Sequence, residues 1–153
     1  MNRWTVKRGI VLSVAVFLTL VPSAAAAPID EALAVLDEAV DTFNARDLDT
    51  HMTLFTDDVE VFTGIDTPLL FKGKAAWKAF HDEVAMLPLA RFQHHTPTAR
   101  IYGGDTVVVN AYFSFTVFDE DGQAETQGGR YSTTLVKQEG KWLIANYHFS
   151  AFF

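Results

Sequence analysis

The side chains best suited to acid–base chemistry lie in the last third of the chain. His148 is of a residue type that titrates near neutral pH, and Tyr131 or Tyr112 could donate a hydrogen bond to an oxygen that gains negative charge. A general base and such a donor on neighbouring strands would suit proton transfer on a small organic molecule. The competing interpretation is that His148 is a buried histidine whose hydrogen bond to Tyr131 is structural.

The alternation of side chains along the strands predicts a semi-polar pocket around these residues. If Glu139 and Gly140 form a two-residue turn, His148 lies opposite Tyr131 and shares its face. The predicted ligand-binding set adds polar positions of the preceding strand and two aromatic wall positions, and comprises Asn110, Tyr112, Ser114, Tyr131, Thr133, Asn146, His148, Trp77 and Phe62. A one-residue bulge would invert the inward-facing residues of the strand that carries it.

Other polar residues support weaker hypotheses. His94 and His95 are neighbours on an extended segment, so only one of them can face the interior, and alternation leaves open which one. Three histidines together with Asp58 lack a compact ligand spacing, so neither a metal nor a cofactor is predicted. The chain has no cysteine, which excludes a thiol nucleophile and a disulfide framework.

The N-terminal segment has the composition of a secretory signal peptide. A basic start precedes the apolar run 10–21, and the small residues Ala24 to Ala27 follow it. That run is shorter than the ~20 residues that span a bilayer. The pattern predicts a signal peptide over residues 1–26 and an exported protein, periplasmic or secreted, without a stable membrane anchor after cleavage. An uncleaved anchor is the alternative.

The predicted domain, residues 27–153, is small and acidic. Removing three basic residues with the signal changes the net charge from −7 to −10. An acidic surface argues against a nucleic-acid partner, because nucleic-acid binding needs a basic surface. The hydrophobic content of 49% argues against disorder. We therefore expect a folded domain whose partner is a small organic ligand.

Helical periodicity fills the first half of this domain, and extended segments fill the second half. Apolar residues recur at three- and four-residue steps over 29–43 and 77–87, with a short helix carrying Phe55 between them. Four extended segments follow at 91–102, 106–118, 125–138 and 141–152, separated by hairpin turns, with a bulge predicted near Gly128 and Gly129. The order indicates an α+β fold: a cone-shaped, curved antiparallel sheet with three N-terminal helices packed on its concave face.

One face of the second long strand is almost wholly apolar. Its residues are Val109, Ala111, Phe113, Phe115 and Val117. The opposite face mixes polar and aromatic residues, and neither face is strongly charged. Because a strand with one solvated face should show a plainly polar side, we expect the apolar face to be buried between the subunits of a homodimer.

Five motifs resemble the SnoaL-like branch of the nuclear transport factor 2-like (NTF2-like) superfamily, which has a cystatin-like fold. They are residues 44–49, 55–59, 71–74, 101–106 and 140–150, the last reading Gly-Lys-Trp-Leu-Ile-Ala-Asn-Tyr-His-Phe-Ser. The chain is also similar to the association domain of calcium/calmodulin-dependent kinase II. The resemblance covers about residues 29–153 and implies a cone-shaped fold, a pocket at its open end, and commonly a homodimer.

The family includes ketosteroid isomerases, dehydratases and other enzymes as well as non-catalytic binding domains, so the resemblance does not decide the function. At the positions that carry isomerase chemistry, this sequence has Thr63, Ala39 and an acid-free strand segment 130–135, so that activity is not implied.

Two interpretations remain. The first is an exported small-molecule-binding protein with a semi-polar cone pocket and no catalytic set. The second is a cofactor-free lyase or isomerase that uses His148 as general base and Tyr131 or Tyr112 as electrophile, with His94 or His95 completing an arrangement that resembles a dehydratase.

Overall fold

The computed structural model describes residues 26–63, 69–84, 90–119 and 121–152. In chain order the elements are α1 (Ala26–Ala45), α2 (Leu48–Thr53), β1 (Phe55–Thr63), β2 (Leu69–Lys72), α3 (Lys74–Val84), β3 (Ala90–Tyr102), β4 (Thr106–Phe118), β5 (Ala124–Gln138) and β6 (Lys141–Ala151). The predicted signal peptide lies outside the described residues except for its last residue. None of the described helices is long and apolar enough to cross a membrane.

The six strands form one curved, open sheet in the order β2-β1-β6-β5-β4-β3. The predicted α+β class, with its helices in the N-terminal half, is confirmed. Four of the five strand pairs are antiparallel, whereas β1 and β6 pair in parallel. Helix α1 packs on β3 and β6, and α3 packs on β1. We call the sheet face that meets the helices the inner face and the opposite one the outer face.

The predicted hairpin at Glu139 and Gly140 is confirmed. Both residues have positive φ, 50° and 82°, as a two-residue type I′ turn requires. Gln138 pairs with Lys141 directly across it. Because this turn matches the twist of the flanking strands, it sets the register at the start of β6.

A one-residue bulge interrupts that register at Ala145. Leu135 pairs with Ile144 before the bulge, but Thr134 pairs with Asn146 after it. The extra residue reverses the side to which the rest of β6 points. As a result, Tyr147 rather than His148 lies on the inner face. The bulge predicted near Gly128 and Gly129 is wrong, since the β4–β5 register is unbroken from Thr106 to Phe118.

Gly129 serves close packing instead. A Cβ atom at this position would lie 2.4 Å from Cε1 of Phe113 and 2.5 Å from the carbonyl oxygen of Ser150. No side chain fits there, so glycine lets the Phe113 ring lie against the backbone of β5.

The core lies between the helices and the inner face. The inward-facing residues of β4 belong to it: Val107, Val109, Ala111 and Phe113 are buried inside this single chain. The prediction that this apolar face is buried between subunits is therefore wrong, because the helices already cover it. Phe55, predicted on α2, begins β1 instead and is also fully buried.

Two sets of side-chain hydrogen bonds, one toward each end of α1, join this helix to the sheet. The Asn44 side chain donates to the carbonyl of Phe92 at 2.9 Å and accepts from its N–H at 2.8 Å. At the other end, the Glu31 carboxylate accepts from Lys137 Nζ at 2.9 Å and Trp142 Nε1 at 3.1 Å. These two donors lower the pKa of Glu31. These hydrogen bonds set the distance between α1 and the inner face, and a cavity lies between them.

Candidate functional site

A cavity of about 300 Å³ lies between the three helices and the inner face. Its walls are almost entirely apolar. They are formed by Ala39, Val40, Phe43, His51, Phe55, Thr63, Trp77, Phe80, His81, Phe92, Phe113, Phe115, Tyr147 and Phe149. No lysine, arginine or carboxylate is among the described lining residues. The cavity therefore suits an uncharged, mostly apolar molecule.

Packed aromatic rings make the sheet side of this cavity rigid. Phe92 and Phe113 are stacked at 5.5 Å between ring centroids, and Phe149 meets both rings edge-on at 6.0 and 5.6 Å. On the helix side, Trp77 stacks on Phe80 at 5.3 Å. Such pairs stabilise one another beyond simple burial, so the cavity is preformed.

Two buried histidines are among the polar residues of the cavity wall. His51 on α2 and His81 on α3 are each 4% exposed, and their ring centroids lie 4.9 Å apart. Asp47 caps α2 by accepting a hydrogen bond from the Thr50 N–H at 3.1 Å, which holds the short helix that presents His51.

The proton positions on these two rings follow from their partners. His81 Nδ1 lies 3.0 Å from the carbonyl oxygen of Trp77, which can only accept, so Nδ1 carries the proton. His51 Nδ1 lies 3.0 Å from Thr42 Oγ1, whose own hydrogen goes to the Glu38 carbonyl at 2.7 Å. His51 Nδ1 is therefore a donor as well. In each neutral ring, Nε2 is left as an acceptor.

Both imidazoles are neutral at physiological pH. Burial, together with the neighbouring His81, lowers the pKa of His51 to about 3, although a hydrogen bond with the Ala39 backbone opposes the shift. Burial also lowers the pKa of His81 to about 4, although the Trp77 carbonyl and Asp82 oppose the shift. The indole N–H of Trp77, whose ring lies 4.2 Å from that of His81, is buried without a hydrogen-bond partner in the described part of the chain.

A second polar group joins α1 to the sheet beside the cavity. His94 Nε2 lies 2.8 Å from the Asp37 carboxylate and Nδ1 lies 3.1 Å from the Tyr131 hydroxyl. In the neutral ring, Nε2 donates to Asp37 and Nδ1 accepts from Tyr131. Burial raises the pKa of Tyr131, and the Asp37 charge raises it further. The Tyr131 ring packs against Phe149 in the cavity wall.

His94 is thus the member of the histidine pair that faces inward. His95 points to the outer face, where Nε2 lies 2.9 Å from Ser114 Oγ. This choice, left open by alternation, depends on the pairing of β3 with β4, in which His94 lies opposite the buried Phe113.

Several residues predicted to line the pocket lie on the outer face instead. On β4 these are Asn110, Tyr112 and Ser114, and Tyr112 is 55% exposed. Asn110 accepts a hydrogen bond from Ser132 at 2.7 Å, and Ser132 is itself exposed. Their predicted position was inverted because the apolar face of β4 packs on the helices rather than on a partner subunit.

The prediction that His148 and Asn146 face the pocket is also wrong. The bulge at Ala145 turns His148 to the outer face, where it is exposed and its ring lies 5.7 Å from that of Phe62. Phe62 is 42% exposed and does not line the cavity. Asn146 donates to the Glu60 carbonyl at 3.0 Å. His148 therefore cannot act as general base on a molecule held in the cavity.

Three residues of the predicted set lie on the inner side. Trp77 lines the cavity. Tyr131 is buried beside it and contacts His94. Thr133 is fully buried and donates to the Asn146 carbonyl at 2.7 Å, so its hydroxyl is already used within the sheet.

His51 and His81 were not among the predicted site residues, although their spacing along the sequence carried a signal. His51 follows Leu48 by three residues, and His81 follows Trp77 by four. Both histidines therefore share the apolar face of their helix. Within the described residues, no group of three or more histidine, aspartate or glutamate side chains could hold a metal ion.

Comparisons with known proteins agree with this fold. The chain is similar to the CaMKII hub of S. rosetta (25% identity, TM-score 0.71, covering 86% of this chain and 100% of that one). It is also similar to an NTF2-like protein of unknown function from Pseudomonas putida KT2440 (22% identity, TM-score 0.72, covering 83% and 88%). A putative scytalone dehydratase from Novosphingobium aromaticivorans DSM 12444 shares the fold at 13% identity (TM-score 0.72, covering 81% and 83%).

No curated protein matches the chain significantly. A family model described as the SnoaL-like domain matches residues 32–153, which is most of the chain and all of the described sheet. The chain therefore belongs to the SnoaL-like family.

Proposed function

We propose that this protein binds a small, uncharged, largely aromatic molecule in the cavity between its helices and sheet. The observation that carries the proposal is the cavity itself, about 300 Å³ in volume and walled by aromatic side chains. An apolar cavity of roughly 150 Å³ can hold benzene, so this one has room for a two-ring compound.

Binding suits the buried histidines better than proton transfer does. A general base works best when its pKa lies near the working pH. The pKa values of His51 and His81, about 3 and about 4, make both imidazoles weak bases at neutral pH. They remain competent hydrogen-bond acceptors, which is what a binding site needs.

A thermal-shift screen with one- and two-ring aromatic compounds tests the proposal. A ligand at one hundred times its Kd should stabilise the folded state by about 2.7 kcal/mol. Ala39→Leu fills the cavity and should abolish the ligand-induced shift, because Ala39 lines the wall and is buried. Ala124→Leu is the matched control, since Ala124 is exposed and does not line the cavity. A shift that survives in Ala39→Leu, or no shift with any compound, would contradict the proposal.

A cofactor-free lyase or isomerase is the second candidate function. The observation that favours it is the hydrogen-bonded chain from Asp37 through His94 to Tyr131, beside the cavity wall. The fold similarity to a putative scytalone dehydratase is compatible with it. The test is to incubate a compound found in the screen with wild type, His94→Gln and the outer-face control His95→Gln, and to follow the compound by NMR. Turnover that only His94→Gln loses would support catalysis, whereas an unchanged compound would leave binding alone.

Export and pairing of two copies complete the proposal. Export is supported by the composition of residues 1–26, and N-terminal sequencing of protein recovered outside the cytoplasm would test it. Self-association is supported by the similarity to the CaMKII hub. Because the inner face of β4 is covered, a second copy would contact the outer face, where Tyr112 and Phe152 are exposed 6.2 Å apart. Light scattering at micromolar concentration should give twice the monomer mass, and Tyr112→Lys should reduce it.

A further inference from the structure

We infer that the cavity selects neutral ligands that carry a hydrogen-bond donor, above all an aromatic hydroxyl group, through the Nε2 atoms of His51 and His81. The inference rests on the proposed function, because it specifies the chemistry of the molecule that the cavity holds.

The first step concerns the two unused acceptors. Each Nδ1 atom is a donor with a fixed partner, the Trp77 carbonyl for His81 and Thr42 Oγ1 for His51. Each Nε2 atom then carries a lone pair that meets no donor among the described residues. Neither Nε2 is among the fully buried polar atoms that lack a hydrogen-bond partner in the described residues, and both histidines line the cavity. The acceptors therefore face the space that a ligand would occupy.

The second step concerns what an apolar wall requires of an occupant. A buried acceptor without a donor costs free energy, and an apolar ligand that displaces water from it leaves that cost in place. A ligand hydroxyl supplies the missing donor. A carboxylate would bring further lone pairs toward Nε2, and no cation among the described lining residues would compensate its charge.

The third step concerns the arrangement of the two rings. They lie 4.9 Å apart, and both contact Phe43, at 6.1 Å from His51 and 5.6 Å from His81. The two acceptors therefore belong to one side of the cavity, next to an aromatic surface on which a ligand ring can pack. This places the hydroxyl end of a ligand at α2 and α3, with its apolar body against the sheet.

The test uses three probes with the same ring system: 2-naphthol, naphthalene and 2-naphthoate. Their affinities for the purified wild-type protein are measured at pH 7.5. One net hydrogen bond corresponds to about a tenfold change in affinity, so 2-naphthol should bind about tenfold more tightly than naphthalene. The anion 2-naphthoate should bind more weakly than both. Equal affinity for 2-naphthol and naphthalene would overturn the inference while leaving the proposed function intact. Tight binding of 2-naphthoate would overturn the inference and would also contradict the uncharged ligand of the proposed function.

Variants then assign the preference to the imidazoles. His51→Phe and His81→Phe keep a ring in the wall but remove its acceptor, so each should lower 2-naphthol affinity toward that of naphthalene. Naphthalene affinity reports whether the variant cavity is intact, and His95→Phe on the outer face is the matched control. A full 2-naphthol preference in both variants would overturn the inference. If the wild type binds none of the three probes, the proposed function itself is contradicted. That outcome is distinct from binding without a preference for 2-naphthol, which contradicts only the inference.

Discussion

Lowering the pH from 8 to 5 should destabilise this protein by about 4 kcal/mol, because two buried histidines must stay neutral in the folded state. The ordinary histidine pKa is 6.5, whereas folding lowers that of His51 to about 3 and that of His81 to about 4. Between these values the unfolded chain binds more protons than the folded chain. The stabilisation is therefore fully present above pH 6.5 and is lost as the pH falls below it.

The size of the loss follows from how far pH 5 lies below the unfolded histidine pKa of 6.5. At pH 5, protonation stabilises each unfolded imidazole by about 2 kcal/mol, and the folded rings cannot gain this energy. Asp82 is the charged group that raises the pKa of His81, and its effect is already contained in the value of about 4. Folding also lowers the pKa values of the Glu31 and Asp47 carboxyl groups. Their contribution to stability is lost only below their ordinary pKa values of 4.5 and 3.8, which lie outside the range from pH 5 to pH 8.

Urea unfolding at pH 5, 6, 7 and 8 measures the effect. His51→Gln and His81→Gln should each reduce the stability difference between pH 8 and pH 5 by about 2 kcal/mol, whatever their effect at pH 8, and the double variant should remove it. The exposed His148→Gln is the matched control and should change stability by less than ~0.5 kcal/mol. A wild-type difference below about 1 kcal/mol, or a double variant with the full difference, would refute the assignment of two neutral buried imidazoles.

Three further predictions concern packing. Gly129→Ala should lower the free energy of unfolding by about 1–3 kcal/mol, because the new Cβ would overpack against Phe113. Gly128→Ala should be near neutral, because the atom nearest to its new Cβ lies 3.6 Å away. Urea unfolding compares the two variants, and equal losses of stability would contradict the argument. Tyr131→Phe should cost about 0.5–1.5 kcal/mol by removing its buried hydrogen bond, and no loss in the same assay would argue that the bond is weak. Deleting Ala145 should cost less than about 2 kcal/mol, because Ile144 and Asn146, which already pair with the adjacent residues Leu135 and Thr134, would become neighbours and Tyr147 would stay on the inner face. A loss of about 4 kcal/mol or more, from melting curves in circular dichroism, would contradict the bulge.

Local features of the fold were predictable because their causes lie within a few residues. The turn at Glu139 and Gly140 was predicted since glycine tolerates the positive φ that a two-residue hairpin needs. The strands β3 to β6 were predicted within one or two residues at each end. Phe55 was misplaced because helical spacing continues past the end of α2, whereas pairing with β6 decides that β1 begins there.

The candidate site was less predictable, because alternation gives two faces without saying which one meets the helices. Tyr112 and the apolar residues of β4 were assigned to the wrong sides for this reason. His51 and His81 were overlooked although both share the apolar side of a helix, and their meeting depends on the packing of α2 near α3. Contacts between residues 30 positions apart are not visible in local spacing.

The amino-acid sequence alone determined the α+β class, the three helices, the four long strands with their hairpin turn, and the likeness to the SnoaL-like family. Tertiary structure decided the parallel pairing of β1 with β6 and the side to which each strand presents its residues. The physical reason is the period of two in a strand: the single extra residue at Ala145 exchanges His148 for Tyr147 on the inner face. The chain accommodates that residue because burying Tyr147 and Phe149 against the helices removes aromatic surface from water, which no local pattern records.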